Sequence, residues 1–525
     1  MRLNPLGVAV ASASSSANCL LAIFSIGFLP IISAATVADS QTGLKELTPT
    51  EQWVIAQLAA GKEANLGRQF PADRDRKLRG AFLKDLVTGE LPGFKPPPPH
   101  GVIISGAIFG ELINLGAAQI PFHVWLIKCQ FNGEAIFSYA NVTGGLSFTL
   151  SHFLKGAVFH SIKVRDYIEF NGACFEDVAY FAGAEMDSLS AQGAEFRIPH
   201  AEFEGIKVRG DADFTRARFE GLASFARSDI GGNLEAGQAR FQNSVGFAKL
   251  KVEGDASFYR ALFEGTAQFA GADISGNFEA GQARFQNKQL AANFYSMKVG
   301  GDADFGYASF DGPVAFRNAN FDKLHLSGVL WPNAAAQVQM QGMNYKYIDA
   351  VAENEPKSHE ALLKSAEQWS YTADVYTNLE TFFLSHGYRA DADEAFIAGK
   401  VRERKEYFLS RDWFGWLRSW TLDLLVGYGR QPWRAGIPCS VLVLLGCVLF
   451  SPKKMEPQNP DDTPRVYNRF WYSLGLFLPF VDLQSNKVWK PKADQTFLRN
   501  YMRVHILLGW ILVPLVLAAV TGLIK

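Results

Sequence analysis

Phenylalanine recurs in this chain at intervals of 22 residues, and that spacing constrains the fold more than any other feature of the sequence. One ladder has no slips: Phe137, Phe159, Phe181, Phe203, Phe225, Phe247 and Phe269. A second slips once, where Phe196 comes one place early: Phe109, Phe131, Phe153, Phe175, Phe219, Phe241, Phe263 and Phe285. A third is mostly aliphatic: Ile120, Val142, Val164, Met186, Val208, Ile230, Val252 and Ile274. Self-similarity over so many copies predicts a repeat architecture in which each copy stacks only on its neighbours.

Large residues within one copy lie five or six positions apart, as in Phe214, Phe219, Phe225 and Ile230. An α-helix repeats every ~3.6 residues and a β-strand every ~2, so neither explains this spacing. A coil with four short sides, each pointing one large side chain inward, does explain it. The tripeptide Ala-x-Phe occurs 19 times between residues 107 and 321. A small residue two places before a large one fits a narrow coil, because both side chains point inward and only one can be bulky.

The repeating unit, seen in Ala212-Asp-Phe214 and Ala267-Gln-Phe269, resembles that of the pentapeptide-repeat family, Ala-Asp/Asn-Leu/Phe-x-x. The resemblance covers about residues 102 to 331. It implies an all-β solenoid, a right-handed quadrilateral β-helix with about 22 residues per coil and about ten coils. Alternate sides have six residues instead of five, so we expect looser corners than in the ideal repeat.

Composition limits the partners and the chemistry of the chain. The 525 residues are 48% hydrophobic and carry a net charge of -1, so there is no electrostatic argument for binding nucleic acid. The five cysteines form no CxxC or other metal spacing. Cys129 and Cys174 lie two coils apart, which is too far for a disulfide. We therefore expect no cofactor and no metal site.

The regions on both sides of the solenoid are predicted to be helical or membrane-bound. Residues 1–38 read as an export signal or, alternatively, an uncleaved N-terminal anchor. A capping box at Thr48–Glu51 starts one helix, and a second is predicted over 73–87. The predicted segments are a helical cap (45–94), a proline-rich linker (95–100), the solenoid (101–331), a helical adaptor (355–430), a first transmembrane helix (432–452), an interfacial or re-entrant segment (467–483) and a second transmembrane helix (501–525).

The adaptor is predicted to contain a helix over 358–386 and another over 391–409, followed by an aromatic helix over 413–426 at a membrane surface. The charge run Lys400–Glu406 interleaves acids with bases, which indicates a solvated helix face or a contact with lipid headgroups rather than nucleic acid.

Val426-Gly427-Tyr428-Gly429 has the letters of a potassium selectivity filter, but no span precedes it. The wider C-terminal layout is similar to that of pentapeptide-repeat proteins with a two-span ion-channel domain. In those proteins the segment between the spans bears the filter. Here that segment is Phe477–Asp482, which lacks the Thr, Gly and Tyr of a filter. The resemblance implies the architecture without the filter.

No catalytic set is evident. His152, His160 and His200 fall on solenoid sides or corners without a repeated partner. Acids recur at one corner in Gly210-Asp211, Gly254-Asp255 and Gly301-Asp302, either as a cation stripe or as turn residues whose Asp caps its own backbone, and the pattern favours turns.

The sequence therefore predicts a non-enzymatic, multi-pass protein of a bacterial cell membrane, with its solenoid on the extracytoplasmic side as a binding or scaffold module. The expected partners are membrane lipid and a protein or envelope polymer, with no nucleic acid, and oligomers could form through the C-terminal spans. One alternative is a channel or transport component with a degenerate two-span pore domain. Another is an enzyme with its site in an outer groove. Basic residues flank the first span on both sides, at 430 and 434 and at 453 and 454, so its orientation stays open.

Overall fold

Coils of about 22 residues stack in register and form the central part of the protein. The structure is a computed structural model, which describes residues 46–94, 101–332, 337–350, 358–459, 466–478, 480–481 and 488–521. The predicted export signal (1–38) and the linker (95–100) lie outside the described residues. Every pairing between coils is parallel, for example Phe153 with Phe175. The strands form three sheets, here called strand ladders, of 21, 11 and 11 strands. The largest ladder covers two adjacent sides, so each coil has four sides. The predicted all-β solenoid is confirmed, with about eleven coils.

Sides 1 and 2 are the two that share the large ladder. The strands of side 1 are Gln119–Ile120, Asn141–Val142, Lys163–Val164, Glu185–Met186, Lys207–Val208, Asp229–Ile230, Lys251–Val252 and Asp273–Ile274. The strands of side 2 are Ala64–Asn65, Val102–Ser105, Val124–Ile127, Leu146–Ser147, Tyr167–Glu169, Ser188–Ser190, Ala212–Asp213, Leu234–Glu235, Ala256–Ser257 and Phe278–Glu279. Three longer strands run across both sides at the C-terminal end: Lys298–Asp304, Asn320–His325 and Asn344–Asp349.

Sides 3 and 4 have one ladder each. The strands of side 3 are Lys77–Leu78, Ile108–Phe109, Gln130–Phe131, His152–Phe153, Cys174–Phe175, Glu195–Phe196, Arg218–Phe219, Arg240–Phe241, Leu262–Phe263, Arg284–Phe285 and Ser309–Phe310. The strands of side 4 are Ile113–Asn114, Ala135–Ile136, Ala157–Val158, Ala179–Tyr180, His200–Glu202, Leu222–Ser224, Val245–Gly246, Ala267–Gln268, Ala292–Asn293, Val314–Ala315 and Val338–Gln339.

Phenylalanine rings fill the interior as continuous stacks. Phe131, Phe153 and Phe175 are fully buried, with successive ring centroids 4.4 and 4.8 Å apart and nearly parallel planes. Phe196 completes the next step at 4.9 Å even though its coil is one residue short. Each buried ring contributes roughly 1.5–3 kcal/mol of transfer free energy. The inward assignment of the phenylalanine ladders is confirmed.

Side 2 exchanges large and small residues between neighbouring coils. Ala212-x-Phe214 is followed one coil later by Leu234-x-Ala236, and both members of each pair are buried. The same exchange continues in Ala256-x-Phe258, Phe278-x-Ala280 and Ala303-x-Phe305. The summed volume of the pair stays similar in every coil, which an interior packed at crystal-like density requires.

Two corners of each coil place a residue in the left-handed backbone region, about every 11 residues. Five consecutive examples are Arg216, Arg227, Gln238, Lys249 and Arg260, with φ between 56° and 59°. Glycine takes the equivalent place elsewhere, as at 172, 183, 193, 205 and 271. A side chain in this region costs ~1–2 kcal/mol, so these corners are held by the parallel pairing on either side.

The N-terminal cap contains helices α1 (Pro49–Ala59) and α2 (Gly80–Thr88), with a helical turn at Leu66–Gln69. The prediction of one helix over 73–87 is wrong in its first part. Asp73–Arg76 forms a 3-10 turn, and Lys77–Leu78 pairs with Ile108–Phe109 as the first strand of side 3. The cap thus extends the ladders and also covers the open apolar end of the solenoid.

The C-terminal end of the solenoid extends beyond Trp331, where the phenylalanine pattern stops. The strand Asn344–Asp349 pairs with Asn320–His325. Helices α3 (Ser358–Glu367) and α4 (Ala373–Ser385) then cover this end. The prediction of a continuous helix over 358–386 is wrong, because the chain turns between them to bury Trp369 against Trp331, at 6.3 Å between ring centroids.

The remaining helices are α5 (Arg389–Leu409), α6 (Trp413–Val426), α7 (Gly436–Leu449), α8 (Arg469–Phe477) and α9 (Thr496–Val520). Three 3-10 turns (Gly427–Gly429, Pro432–Ala435 and Pro452–Lys454) and an antiparallel pair, Met455–Pro457 with Trp489–Pro491, connect them. Within the described residues one helix is long and apolar enough to cross a membrane, over Thr496–Ala518. The apolar helix over Trp433–Leu449 is shorter.

Candidate functional site

Helices α6, α7 and α9 present a broad apolar surface to the outside. Their exposed large side chains are Trp413, Phe414, Leu417, Trp420, Leu424, Ile437, Val441, Leu444, Leu445, Val448, Phe497, Val504, Leu507, Trp510, Ile511 and Leu517. In α7, Val441 and Leu444 are 57% and 60% exposed, whereas Val443 is 7% exposed. Large apolar side chains exposed in this number along three helices indicate a site for contact with a membrane or a partner.

Polar groups and small residues lie between α7, α8 and α9. The hydroxyl of Ser473 donates to the carbonyl of Val443 at 2.8 Å, and Nε2 of His505 lies 3.1 Å from the carbonyl of Ser473. Both side chains are fully buried. A Cβ at Gly446 would collide with the Ser473 hydroxyl. Close approach at small residues together with interhelical hydrogen bonds is typical of helices that pack inside a membrane.

Ion pairs join helices α4 and α5 to helix α6 and to the segment between α6 and α7. Asp423 on α6 accepts from Arg404 on α5 at 2.8 Å and from Arg434 at 3.2 Å. Arg430 pairs with Glu380 on α4 and, at 3.1 Å, with Asp393 on α5. All six side chains are at most about one-third exposed. These contacts fix the orientation of α6 and the start of α7 against the adaptor.

The charge run Lys400–Glu406 contributes to the same junction. Arg402 donates to the carbonyls of Glu367 and Trp369 at 2.8 Å each, and so satisfies the C-terminal end of α3. With Arg404 bound to Asp423, part of this run is used in intramolecular contacts. The interpretation of the run as a solvated helix face is therefore wrong for these two arginines, while a contact with lipid headgroups stays a prediction.

Tryptophans and cations line two adjoining grooves beside the junction. The first has a volume of about 360 Å³ and is lined by Arg404, Trp420, Asp423, Leu424, Trp433, Arg434, Ile437 and Pro438. The second, of about 350 Å³, is lined by Arg404, Lys405, Phe408, Leu409 and Trp416. Tryptophan together with arginine and lysine is the composition of a protein surface at the level of lipid headgroups.

The Gly-Tyr-Gly segment forms a turn between α6 and the start of α7. Gly427 and Tyr428 both have positive φ, of 51° and 54°. The carbonyls of Val426 and Gly427 accept from the backbone N–H groups of Gln431 and Arg430, both at 3.1 Å. The Tyr428 hydroxyl is buried 2.8 Å from that of Ser419, and burial raises its pKa. Two filter carbonyls are therefore engaged in local hydrogen bonds.

The recurring acids of the Gly-Asp pairs belong to a column of alternating Asp and Asn. Asp211 accepts from the backbone N–H of Asn233 at 2.8 Å, and Asn233 accepts from that of Asp255 at 2.9 Å. The same contact continues from Asp255 to Asn277 and from Asn277 to Asp302, at 2.7 and 2.8 Å. Each side chain caps the backbone of the next coil. The interpretation that Asp caps its own backbone was wrong.

Two of the scattered histidines lie within 3.5 Å of a carboxylate. His200 lies 3.5 Å from Glu202 on side 4, and burial lowers the pKa of His200. His152 on side 3 lies 3.1 Å from Glu176 and is paired in register with Cys174. His152 therefore has a partner in a neighbouring coil, although this contact is not one that repeats along the solenoid. The contact between these coils could have been predicted by applying the 22-residue spacing to outward-facing positions, because His152 and Cys174 are 22 residues apart.

A further cluster, missed by the sequence analysis, lies in the last three coils. Nδ1 of His325 is 2.8 Å from the buried carboxylate of Asp349, and Nε2 is 3.7 Å from Asp302. The hydrogen bond to Asp349 raises the pKa of His325. The cluster joins neighbouring strands and stabilises the end of the solenoid.

Comparison with known proteins supports the class of this solenoid. A family model described as pentapeptide repeats (9 copies) matches residues 203–250. That segment lies inside the phenylalanine ladders described above and shares their register, so this part of the β-solenoid is similar to pentapeptide repeats. No curated protein and no solved structure matches the chain.

Proposed function

We propose that the chain is a non-enzymatic binding or scaffold protein whose solenoid is carried by a membrane-inserted helical unit. The exposed apolar surface of α6, α7 and α9 carries this proposal. The helical unit consists of α6, α7, α8 and α9. Many of its large apolar side chains are exposed, whereas the polar side chains of Ser473 and His505 are buried between the helices, and this distribution suits a lipid environment.

Helix lengths support insertion. The 23 residues of Thr496–Ala518 at ~1.5 Å per residue give about 35 Å, enough for a hydrocarbon core of ~30 Å. The 17 residues of Trp433–Leu449 give about 25 Å on the same basis, which crosses a core locally thinned or bounded by snorkelling Arg434. The grooves with Trp420 and Trp433 then lie at the headgroup level. These two helices are the proposed spans.

The outer surface of the solenoid favours a protein or an envelope polymer as partner. Lys207 pairs with Glu185 across neighbouring coils at 3.3 Å, and Lys323 pairs with Asp302 at 3.0 Å. Such pairs leave charge of both signs on these faces, whereas binding to a nucleic-acid backbone depends on basic side chains that contact the phosphates. Exposed Tyr139 and Tyr307 offer the aromatic side chains that interfaces use most.

The class of the fold supports a non-enzymatic role. Pentapeptide-repeat solenoids serve as structural or binding modules, and the inward residues here are used for packing. Our proposal places the chain in a bacterial cell membrane with the solenoid outside the cytoplasm and the Lys453–Arg499 segment, with its eight basic residues, on the cytoplasmic side. Oligomers would form through the two proposed spans.

Site-specific photo-crosslinking in native membranes tests the binding role. A benzophenone amino acid replaces exposed Tyr307 or Tyr139 in the full chain, and Phe225, which is buried, is the matched control. We expect one saturable adduct from an outer position and none from position 225. The crosslinked species, once purified, must bind the full chain directly. Absence of an adduct from all outer positions, tested on all four sides, would refute the scaffold role.

A second function, a channel or transport component, is favoured by one observation. His505 is a buried ionisable side chain inside a proposed span, bonded to Ser473, and such residues often mark transport pathways. Ion and proton flux into liposomes containing the full chain distinguishes the two functions. We expect no selective flux; flux that His505→Gln abolishes would support transport.

A further inference from the structure

The stacking of coils brings three metal-binding side chains together on side 3. His152 and Cys174 are paired in register on adjacent strands. Glu176 lies two residues after Cys174, so it points to the same outer face. His152 is distant from both residues in the sequence, and only the coil register places its imidazole beside the thiol.

The distances between the three ligand atoms match a coordination sphere. Nε2 of His152 is 3.1 Å from Oε1 of Glu176, and Sγ of Cys174 is 3.4 Å from the same oxygen. All three ligand atoms lie within 4.8 Å of one another. Tetrahedral zinc with bonds of ~2.0–2.3 Å separates its ligand atoms by about 3.3–3.7 Å. Small side-chain rotations would bring the set to that geometry.

We propose that His152, Cys174 and Glu176 bind a zinc-class divalent transition-metal ion on the outer face of side 3. The combination of one imidazole, one thiolate and one carboxylate selects borderline ions such as Zn²⁺ over Ca²⁺ or Mg²⁺, which prefer oxygen ligands alone. Three protein ligands leave a fourth position for water or for a group of a partner molecule. On binding, the Cys174 thiol gives its proton to solvent and its sulfur electron pair to the metal.

Arg197 is the neighbouring cation that a metal would meet. Its Nη1 lies 3.1 Å from Oε1 of Glu176, while its Nε donates to Glu195 at 2.9 Å. Arg197 therefore keeps a carboxylate partner when Glu176 turns to the metal. The side chains of His152 and Glu176 are 40% and 30% exposed, so an ion can enter from solvent without opening the coil.

Cobalt(II) binding to the full chain in detergent tests the site. After removal of metals by a chelator, Co²⁺ is added and the thiolate-to-cobalt charge-transfer absorption is followed. We expect one ion per chain, displaced by Zn²⁺. Cys174→Ser should abolish the charge-transfer band. Glu176→Gln should retain the band but weaken binding at least tenfold, because the thiolate remains while one ligand is weakened.

Two variants serve as matched controls. His200→Gln removes a histidine beside a glutamate on side 4, where the pair has no thiol. Cys129→Ser removes a thiol that is fully buried in another coil. Both should bind Co²⁺ as the unmodified chain does. Absence of the band in the unmodified chain, or a band that survives Cys174→Ser, would overturn the proposal. Circular dichroism identifies a variant that fails to fold, and His152→Gln then replaces it.

Discussion

Phe225→Ala removes one ring from the interior stack and tests the packing directly. Phe225 is 2% exposed, with its ring centroid 4.9 Å from that of Phe203 and 5.2 Å from that of Phe247. Phe214 contacts it edge-on at 5.0 Å. A buried Phe→Ala change costs ~3–5 kcal/mol. Phe219 contacts it edge-on at 5.9 Å. Because these four aromatic contacts are lost as well, each worth ~0.5–1.5 kcal/mol, we expect the upper half of that range.

Native-state hydrogen exchange of the full chain in detergent reads this loss. A loss of ~4–5 kcal/mol corresponds to about a thousandfold or greater loss of amide protection. Because each coil contacts only its neighbours, the effect should centre on residues 203–247 and fade within a few coils. The control Arg227→Ala removes an exposed side chain that pairs with Glu204, and such pairs are worth ~0.2–1 kcal/mol. Equal and small changes for both variants would refute the inward assignment.

Three further changes probe other parts of the fold. Ala236→Phe should overpack side 2 by ~1–3 kcal/mol, and Leu234→Ala added to it should restore stability in urea unfolding; a double variant no better than the single one would contradict volume exchange. Arg79→Met leaves the buried Glu51 carboxylate without its guanidinium partner. The N-terminal cap should therefore lose ~3–5 kcal/mol of stability and become sensitive to protease. An unchanged rate of proteolysis would contradict a stabilising role of this ion pair. The pKa of His325 is raised by folding, so its stabilising effect on the last coils should be complete below pH ~6.5 and be lost as pH rises through the folded pKa. His325→Gln should remove that pH dependence of amide exchange; a dependence that persists would assign it to another group.

The solenoid could be predicted from the sequence because its inward positions repeat chemically. The ring of Phe153 stacks on the ring of Phe175 in the next coil. The 22-residue spacing of the phenylalanines therefore predicts the register between coils. Apart from the column of alternating Asp and Asn, the outward positions show no such chemical repetition. The same register nevertheless places His152 beside Cys174, and this could have been found by applying it to polar residues.

The ends of the solenoid were harder to predict because tertiary contacts determine them. Asn344–Asp349 has no phenylalanine ladder, yet it pairs with the preceding coil because that coil has an open edge. The chain breaks the expected helix at Trp369 to cover the same open end. In the cap, Lys77–Leu78 becomes a strand because the first coil supplies a partner. Local periodicity contains none of this information.

Carbene photolabelling from within the bilayer tests the central claim most directly. An apolar diazirine reagent is activated in native membranes containing the full chain, and labelled residues are identified by mass spectrometry. We predict strong labelling of Val441 and Leu444 on α7 and of Leu507 on α9, with little on Val443, which faces the helical unit. Labelling of α7 and α9 no stronger than that of Tyr307 on the solenoid would contradict a membrane-inserted unit.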